Sequence, residues 1–211
     1  MTRDLFEEDG TAELLDDGIV LLRRFASTVE LIAPIRHVTE AAPLRRMRTP
    51  GGQTMSVDMT NCGQYGWVSD RRGYRYSATD PESGEAWPAM PPVFGTLARN
   101  AAARAGFADF TPDVCLINRY APGTRLSLHQ DRDEQDFSQP IVSVSLGLPA
   151  MFLIGGIERR GRTRQIELFD GDVIVFGGES RLIHHGIKPV EAGDHPLVGP
   201  YRINLTFRKA A

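Results

Sequence analysis

The sequence predicts a mainly β protein with flanking helices, built on a double-stranded β-helix (jelly-roll) core, and three observations carry that prediction. Beyond Pro112 the chain breaks into seven short apolar or alternating segments divided by Gly, Pro and Asp turns. Ahead of that point lie two spans of helical periodicity with their own start and stop residues. No internal repeat, low-complexity tract or Ser/Gly linker divides the chain, so residues 1–211 read as a single domain. Within it, 1–20 form an acidic N-terminal segment, 21–111 a mixed helical front region, and 112–211 the β core.

The elements follow in order. Gly18–Arg24 reads as a strand. Ser27 is placed to cap a helix through Ala41, in which Val29, Ile32, Ile35 and Val38 recur at helical spacing and which Pro43 ends. Pro34 falls inside that span and predicts a kink or an earlier stop. Thr54–Thr60 reads as a strand, and Gly63–Trp87 as an aromatic, Gly- and Pro-punctuated stretch of loops and short strands. Pro91 and Pro92 open a second helix running to Ala105, closed by Gly106. Strands are then expected at Val114–Tyr120, Ile141–Leu148, Met151–Ile154, Gln165–Phe169, Val173–Phe176, Leu182–Ile187 and Tyr201–Arg208. Two sheets closed face to face leave a cavity in which a small ligand can sit.

Composition narrows the setting. No apolar run approaches the ~18–20 residues that span a bilayer, so no membrane partner is expected. The opening MTRDLFEEDG lacks the basic-then-apolar pattern of a signal peptide. Cys62 and Cys115 form no CxxC pair and read as buried free thiols, which fits a reducing, cytoplasmic compartment. Nothing calls for an oligomer, so a monomer is expected. The net charge of −3 argues against a nucleic-acid partner until its distribution is considered. Residues 1–20 hold seven acids and one base, which leaves +3 on residues 21–211. Arginines concentrate over 36–76 and again at Arg159, Arg160, Arg162 and Arg164, and local patches of this kind permit phosphate contacts.

The chemistry concentrates at Leu128-His129-Gln130-Asp131. In an extended segment residues two apart face the same side, so His129 and Asp131 project together. An imidazole and a carboxylate joined by a distant second histidine make the facial triad of non-haem Fe(II) sites, with positions left for cosubstrate and O₂. His184 and His185 are both candidates for the third ligand, and alternation turns them to opposite faces without deciding between them. His37 and His195 lie outside this context. The last strand adds a second signal. In Tyr201–Arg208 one face is Arg202, Asn204, Thr206 and Arg208, and the other is Tyr201, Ile203, Leu205 and Phe207. Six residues of strand put the two arginines ~20 Å apart at ~3.3 Å per residue. One guanidinium can then grip the far carboxylate of a five-carbon dicarboxylate while the other reaches toward the metal. Asn118 and Tyr120 share a parity and could add hydrogen bonds. Together these features predict Fe(II) with 2-oxoglutarate as cosubstrate.

The run Leu116-Ile117-Asn118-Arg119-Tyr120, followed by His129-Gln130-Asp131, His185 and Arg202-x-Asn204-x-Thr206-x-Arg208, resembles the AlkB family of dealkylating dioxygenases, from Thr49-Pro50-Gly51-Gly52 to Arg208. The resemblance implies metal ligands at His129, Asp131 and His185, and 2-oxoglutarate contacts at Asn118, Tyr120, Arg202, Asn204 and Arg208. It makes the front region an N-terminal nucleotide-recognition lid. Trp67 matches the aromatic that stacks on a flipped base, with His129 opposite. Tyr74 and Thr49 match backbone contacts, Met59 lines the pocket, and Asp133 and Arg159 face the base. The implied activity is oxidative dealkylation of bases of the 1-methyladenine and 3-methylcytosine type, using Fe(II), 2-oxoglutarate and O₂ and releasing an aldehyde, in repair of alkylation damage. Alkylated DNA is the expected partner and RNA a second one. A lesion that already weakens pairing costs less to extrude, and stacking returns roughly 1–3 kcal/mol per base. Bases methylated at adenine N1 or cytosine N3 are cationic, so the Asp133 carboxylate is expected to favour them. Gln53, Phe176 and His184 depart from the aromatics that bacterial members carry, which bears on substrate preference. Two other readings share the motifs: an oxygenase acting on a protein or small molecule, and a cupin-like metal-binding module without redox chemistry.

Overall fold

The computed structural model describes residues 11–211, and the first ten residues of the acidic N-terminal segment lie outside the described residues. Thirteen strands and two α-helices are present among the described residues, and every strand pairing is antiparallel. In chain order they are β1 (Ala12–Asp16), β2 (Ile19–Leu22), α1 (Thr28–Ala41), β3 (Asp58–Gly63), β4 (Gly66–Asp70), β5 (Gly73–Ser77), α2 (Pro92–Arg104), β6 (Val114–Tyr120), β7 (Leu126–His129), β8 (Ile141–Gly147), β9 (Ala150–Ile154), β10 (Arg164–Leu168), β11 (Val173–Phe176), β12 (His185–Ile187) and β13 (Arg202–Arg208).

The major sheet runs β1-β2-β11-β8-β13-β6-β3 and the minor sheet β10-β9-β12-β7, with β4 and β5 as a separate hairpin. Period-two alternation divides the major sheet's side chains between two cores. Val142, Val144, Val173, Val175, Leu205 and Phe207 pack with Leu31, Ile35 and Val38 of α1 and Phe94, Ala98, Ala101 and Ala102 of α2. Ile141, Ile174 and Phe176 face the other way and meet Phe152, Ile154, Ile183 and Ile187 from the minor-sheet side. The helices therefore cover the outer face of the major sheet, and the space between the sheets is left for a site.

Several expectations change at this level. In α1 the buried residues are Thr28, Leu31, Ile35 and Val38, whereas Val29 is exposed, because packing rotates the face by one residue. Pro34 lies inside α1 without ending it, and Ser27 sits at the N-cap without a side-chain cap bond. The strand expected at Thr54–Thr60 starts at Asp58, and Thr54 instead bridges Arg48 in a loop. The Leu182–Ile187 strand is shortened to β12, since Ser180 and Arg181 belong to a tight turn that runs into it. β1 and β7 are strands that the sequence pattern does not predict. α2 matches its expected limits, with Pro92 at its start and Gly106, φ +93°, beyond its end. Cys62 and Cys115 are buried free thiols, facing each other across β3 and β6.

Candidate active site

The site is assembled where the minor sheet faces the middle of the major one. β13 lies between β8 and β6, so its polar alternate row faces the inter-sheet space rather than solvent. A cavity of about 660 Å³ opens there, lined by Met59, Asn118, Tyr120, His129, Asp131, His185, Arg202, Asn204 and Arg208, and toward its mouth by Thr49, Trp67, Tyr74, Asp133 and Arg159. The residues expected to contact metal, cosubstrate or base thus all line one cavity.

β12 pairs with β7 so that His185 is directly opposite His129, and their rings lie 4.4 Å apart. Asp131 sits two residues past the end of β7. Its Oδ1 is 3.6 Å from His129 Nε2 and its Oδ2 is 3.6 Å from His185 Nε2. The three ligand atoms lie within 4.8 Å of one another. Each imidazole turns Nδ1 to a carbonyl two residues back, at 2.9 Å for Ser127 and 3.3 Å for Ile183, and so presents Nε2 to the carboxylate. Burial, helped by the neighbouring His129, lowers the His185 pKa to about 3, which keeps its imidazole neutral and able to ligate. Burial works against a charge on Asp131, but Arg208 and the two histidines outweigh it and hold the carboxyl below its usual range. His184 also lines the cavity, with Nδ1 3.2 Å from the Gly156 carbonyl, yet it stands outside the triad.

The two β13 arginines occupy opposite ends of the polar row. Arg208 donates to Asp131 Oδ2 through Nη2 at 2.7 Å and Nε at 3.1 Å. Arg202 is buried at the far end of the row, its guanidinium 4.9 Å from the Tyr120 ring centroid, with Nη2 donating to Ser145 Oγ at 3.0 Å. Its Nε and Nη1 have no hydrogen-bond partner among the described residues, and neither does Asn118 Oδ1. Orphaned donors on a buried cation are costly unless a ligand completes them, and a carboxylate has the matching charge and fork. The donor sets therefore fit both a divalent metal and a dicarboxylate. Asn204 lines the same wall, but its amide is engaged by Ser143, the Val144 carbonyl and Thr206.

At the mouth, Trp67 stacks on Tyr74 with centroids 5.6 Å apart and planes 13° from parallel. The Trp67 indole donates to Asp133 Oδ2 at 2.8 Å, fixing the ring's plane. Arg159 is exposed at the rim. Three further residues escaped the sequence reading. Arg181 donates to the Asp131 carbonyl at 2.8 Å, Glu134 lies 3.0 Å from Arg181 Nη2, and Tyr76 donates to Glu134 Oε1 at 2.6 Å. Glu134 and Arg181 are buried charges and Tyr76 a phenol that meets them, and neither burial nor such a meeting is readable from the residues on their own.

The model of the 2OG-Fe(II) oxygenase superfamily matches residues 18–208. The chain belongs to that superfamily. Among relatives, the oxygenase is 55% identical to the alpha-ketoglutarate-dependent dioxygenase AlkB of Escherichia coli (strain K12), over 98% of this chain and 97% of that one. It is 34% identical over 59% of its length to the human nucleic acid dioxygenase ALKBH1, covering 32% of that protein. The solved structure of OsALKBH1 superposes with a TM-score of 0.82 at 30% identity, covering 94% of this chain and 100% of that one. The oxygenase is thus an Fe(II)- and 2-oxoglutarate-dependent dioxygenase that uses O₂, and the reading as a non-redox cupin-like module is set aside.

Proposed function

We propose that this dioxygenase removes N-alkyl groups from the bases of DNA, and of RNA as a second substrate, working as a monomeric single domain in the cytoplasm. One observation carries the substrate assignment. A single cavity joins the His129–Asp131–His185 cluster to a stacked Trp67–Tyr74 pair with a carboxylate beside it, which suits a flat, cationic, extruded base.

His129, Asp131 and His185 hold Fe(II), and Arg202 binds the far carboxylate of 2-oxoglutarate with its two free donors, with Tyr120 and Asn118 beside it. Asn204 and Arg208 complete the 2-oxoglutarate contacts from the same row, and Arg208 also keeps Asp131 ionised and aimed at the metal position. The bound iron supplies, with 2-oxoglutarate and O₂, the oxidation of the N-alkyl carbon that ends in aldehyde and repaired base. The front region, within residues 21–111, serves as the lid. Trp67 and His129 sandwich the base, Met59 packs against it, Tyr74 and Thr49 hold the backbone, and Asp133 and Arg159 read its edge. Burial within the inter-sheet space excludes water from the reacting carbon.

The deciding experiment is aldehyde release from a 1-methyladenine single-stranded oligonucleotide, with and without Fe(II) and 2-oxoglutarate. Release that needs both is expected. Succinate formation without aldehyde from any methylated nucleic acid would transfer the assignment to a protein or small-molecule substrate.

A further inference from the structure

The β4–β5 hairpin is tied to the rest of the molecule in an uneven way. Trp67 and Tyr76 are directly opposite each other in its register. Their polar atoms go to adjacent residues of one short segment, Trp67 Nε1 to Asp133 and the Tyr76 hydroxyl to Glu134. That same segment begins with Asp131 of the metal-site cluster. Glu134 is buried, and besides Tyr76 it faces Arg181 Nη2 at 3.0 Å and Arg208 Nε at 3.4 Å. Both arginines also hold Asp131, Arg181 at its carbonyl and Arg208 at its carboxylate. Arg208 Nη1 in turn lies 3.4 Å from the Tyr76 oxygen.

We propose that Tyr76 and Glu134 are positioning residues which latch the hairpin to the Asp131 segment, so that seating a base against Trp67 and aligning Asp131 become one event. The physical reason is competition for two cations. With the Tyr76 proton on its carboxylate, Glu134 has part of its acceptor capacity satisfied and leaves Arg208 turned to Asp131, the shorter contact. Without that donor, Glu134 is an undersolvated buried carboxylate whose remaining partners are the two arginines that orient Asp131. A displaced hairpin therefore loosens the metal-site side chain as well as the base platform. Burial holds the Tyr76 phenol well above its usual range, so it remains a donor.

The latch is tested with Tyr76→Phe, which keeps the ring and deletes the donor. In the protein without metal, amide hydrogen exchange over 66–77 and 131–134 should speed by at least about tenfold, the effect of losing one hydrogen bond to a charged acceptor. With methylated oligonucleotide, Fe(II), 2-oxoglutarate and O₂, succinate formed per aldehyde released should rise above one to one, and the oligonucleotide KM should change more than kcat. Glu134→Gln still accepts from Tyr76 but lacks the charge facing the arginines, so it should keep the hairpin protected and still raise the ratio. Wild-type exchange in Tyr76→Phe would overturn the proposal, and so would faster hairpin exchange with an unchanged ratio, the mark of a purely structural tie. The ratio rests on the dealkylase reading, whereas exchange does not. Should the wild-type protein release no aldehyde, that reading fails by itself, and exchange at 131–134 still supports or overturns the latch.

Discussion

At the scale of single residues, Arg202 and Asp133 carry opposite electrostatic tasks. Arg202 is a buried cation with two donors unused, a state that burdens the protein without its cosubstrate. Burial lowers its pKa, and Tyr120 opposes that shift. Arg202→Met should therefore raise the melting temperature of the metal-free protein while raising the 2-oxoglutarate KM roughly 100-fold, the loss of two charge-assisted bonds. Calorimetry and succinate kinetics read the two effects, and a lower melting temperature in the variant would contradict the first. Asp133 is exposed at the mouth and holds the Trp67 indole. Asp133→Ala should slow turnover of cationic lesions such as 1-methyladenine roughly tenfold more than that of a neutral alkylated base. Equal losses on both would show that Asp133 only braces Trp67.

At the scale of elements, the metal-site geometry depends on how closely two short strands approach. A Cβ on Gly186 would lie 2.7 Å from the Leu126 carbonyl oxygen, with Leu128 N and Ser127 C both at 3.2 Å. These are backbone atoms of β7 and cannot rotate away. Gly186→Ala must push β12 off β7, and His185 moves with it away from His129. Iron affinity should fall by about tenfold or more while the helix-side core is untouched. Metal titration followed by circular dichroism distinguishes this from general unfolding, and undiminished iron binding would disprove it. This dependence was half legible in the sequence. The spacing of His129 and Asp131 was visible, yet Leu126–His129 is too short and mixed to read as a strand. The choice of His185 over His184, which local alternation leaves open and the family resemblance implies, has its geometric reason in the pairing of β7 with β12.

At the scale of the whole molecule, net charge misleads and distribution informs. The chain carries −3, but Arg125, Arg132 and Arg159 line the cavity mouth, and the exposed Arg160 and Arg162 continue from it along the β9–β10 loop. Gln130, between two members of the metal cluster, donates to the Ile157 carbonyl and tethers that loop beside the site. If the mouth carries a polyanion, binding of a single-stranded oligonucleotide should weaken steeply with salt. Replacing Arg160 and Arg162 by alanine should flatten the log–log slope by about 1.4, at about 0.7 per phosphate contact. An unchanged slope would place the strand elsewhere. No helix among the described residues is long and apolar enough to cross a membrane.

The amino-acid sequence by itself determined the strands of the core from Val114 onward apart from β7, both helices, the His129–Asp131 pair and the polar row of β13, because each is written in a local period of two or about four residues. Val29 shows the limit even there, since a helix's period is local but the rotation of its face is set by what it packs against. Tertiary structure alone decided which histidine faces His129, that β13 lies centrally with its arginines inward, and that Tyr76, Glu134 and Arg181 converge on Asp131. Those are matters of pairing between segments dozens of residues apart. No local periodicity encodes them, and burial is what turns ordinary charged residues into the supports of a site.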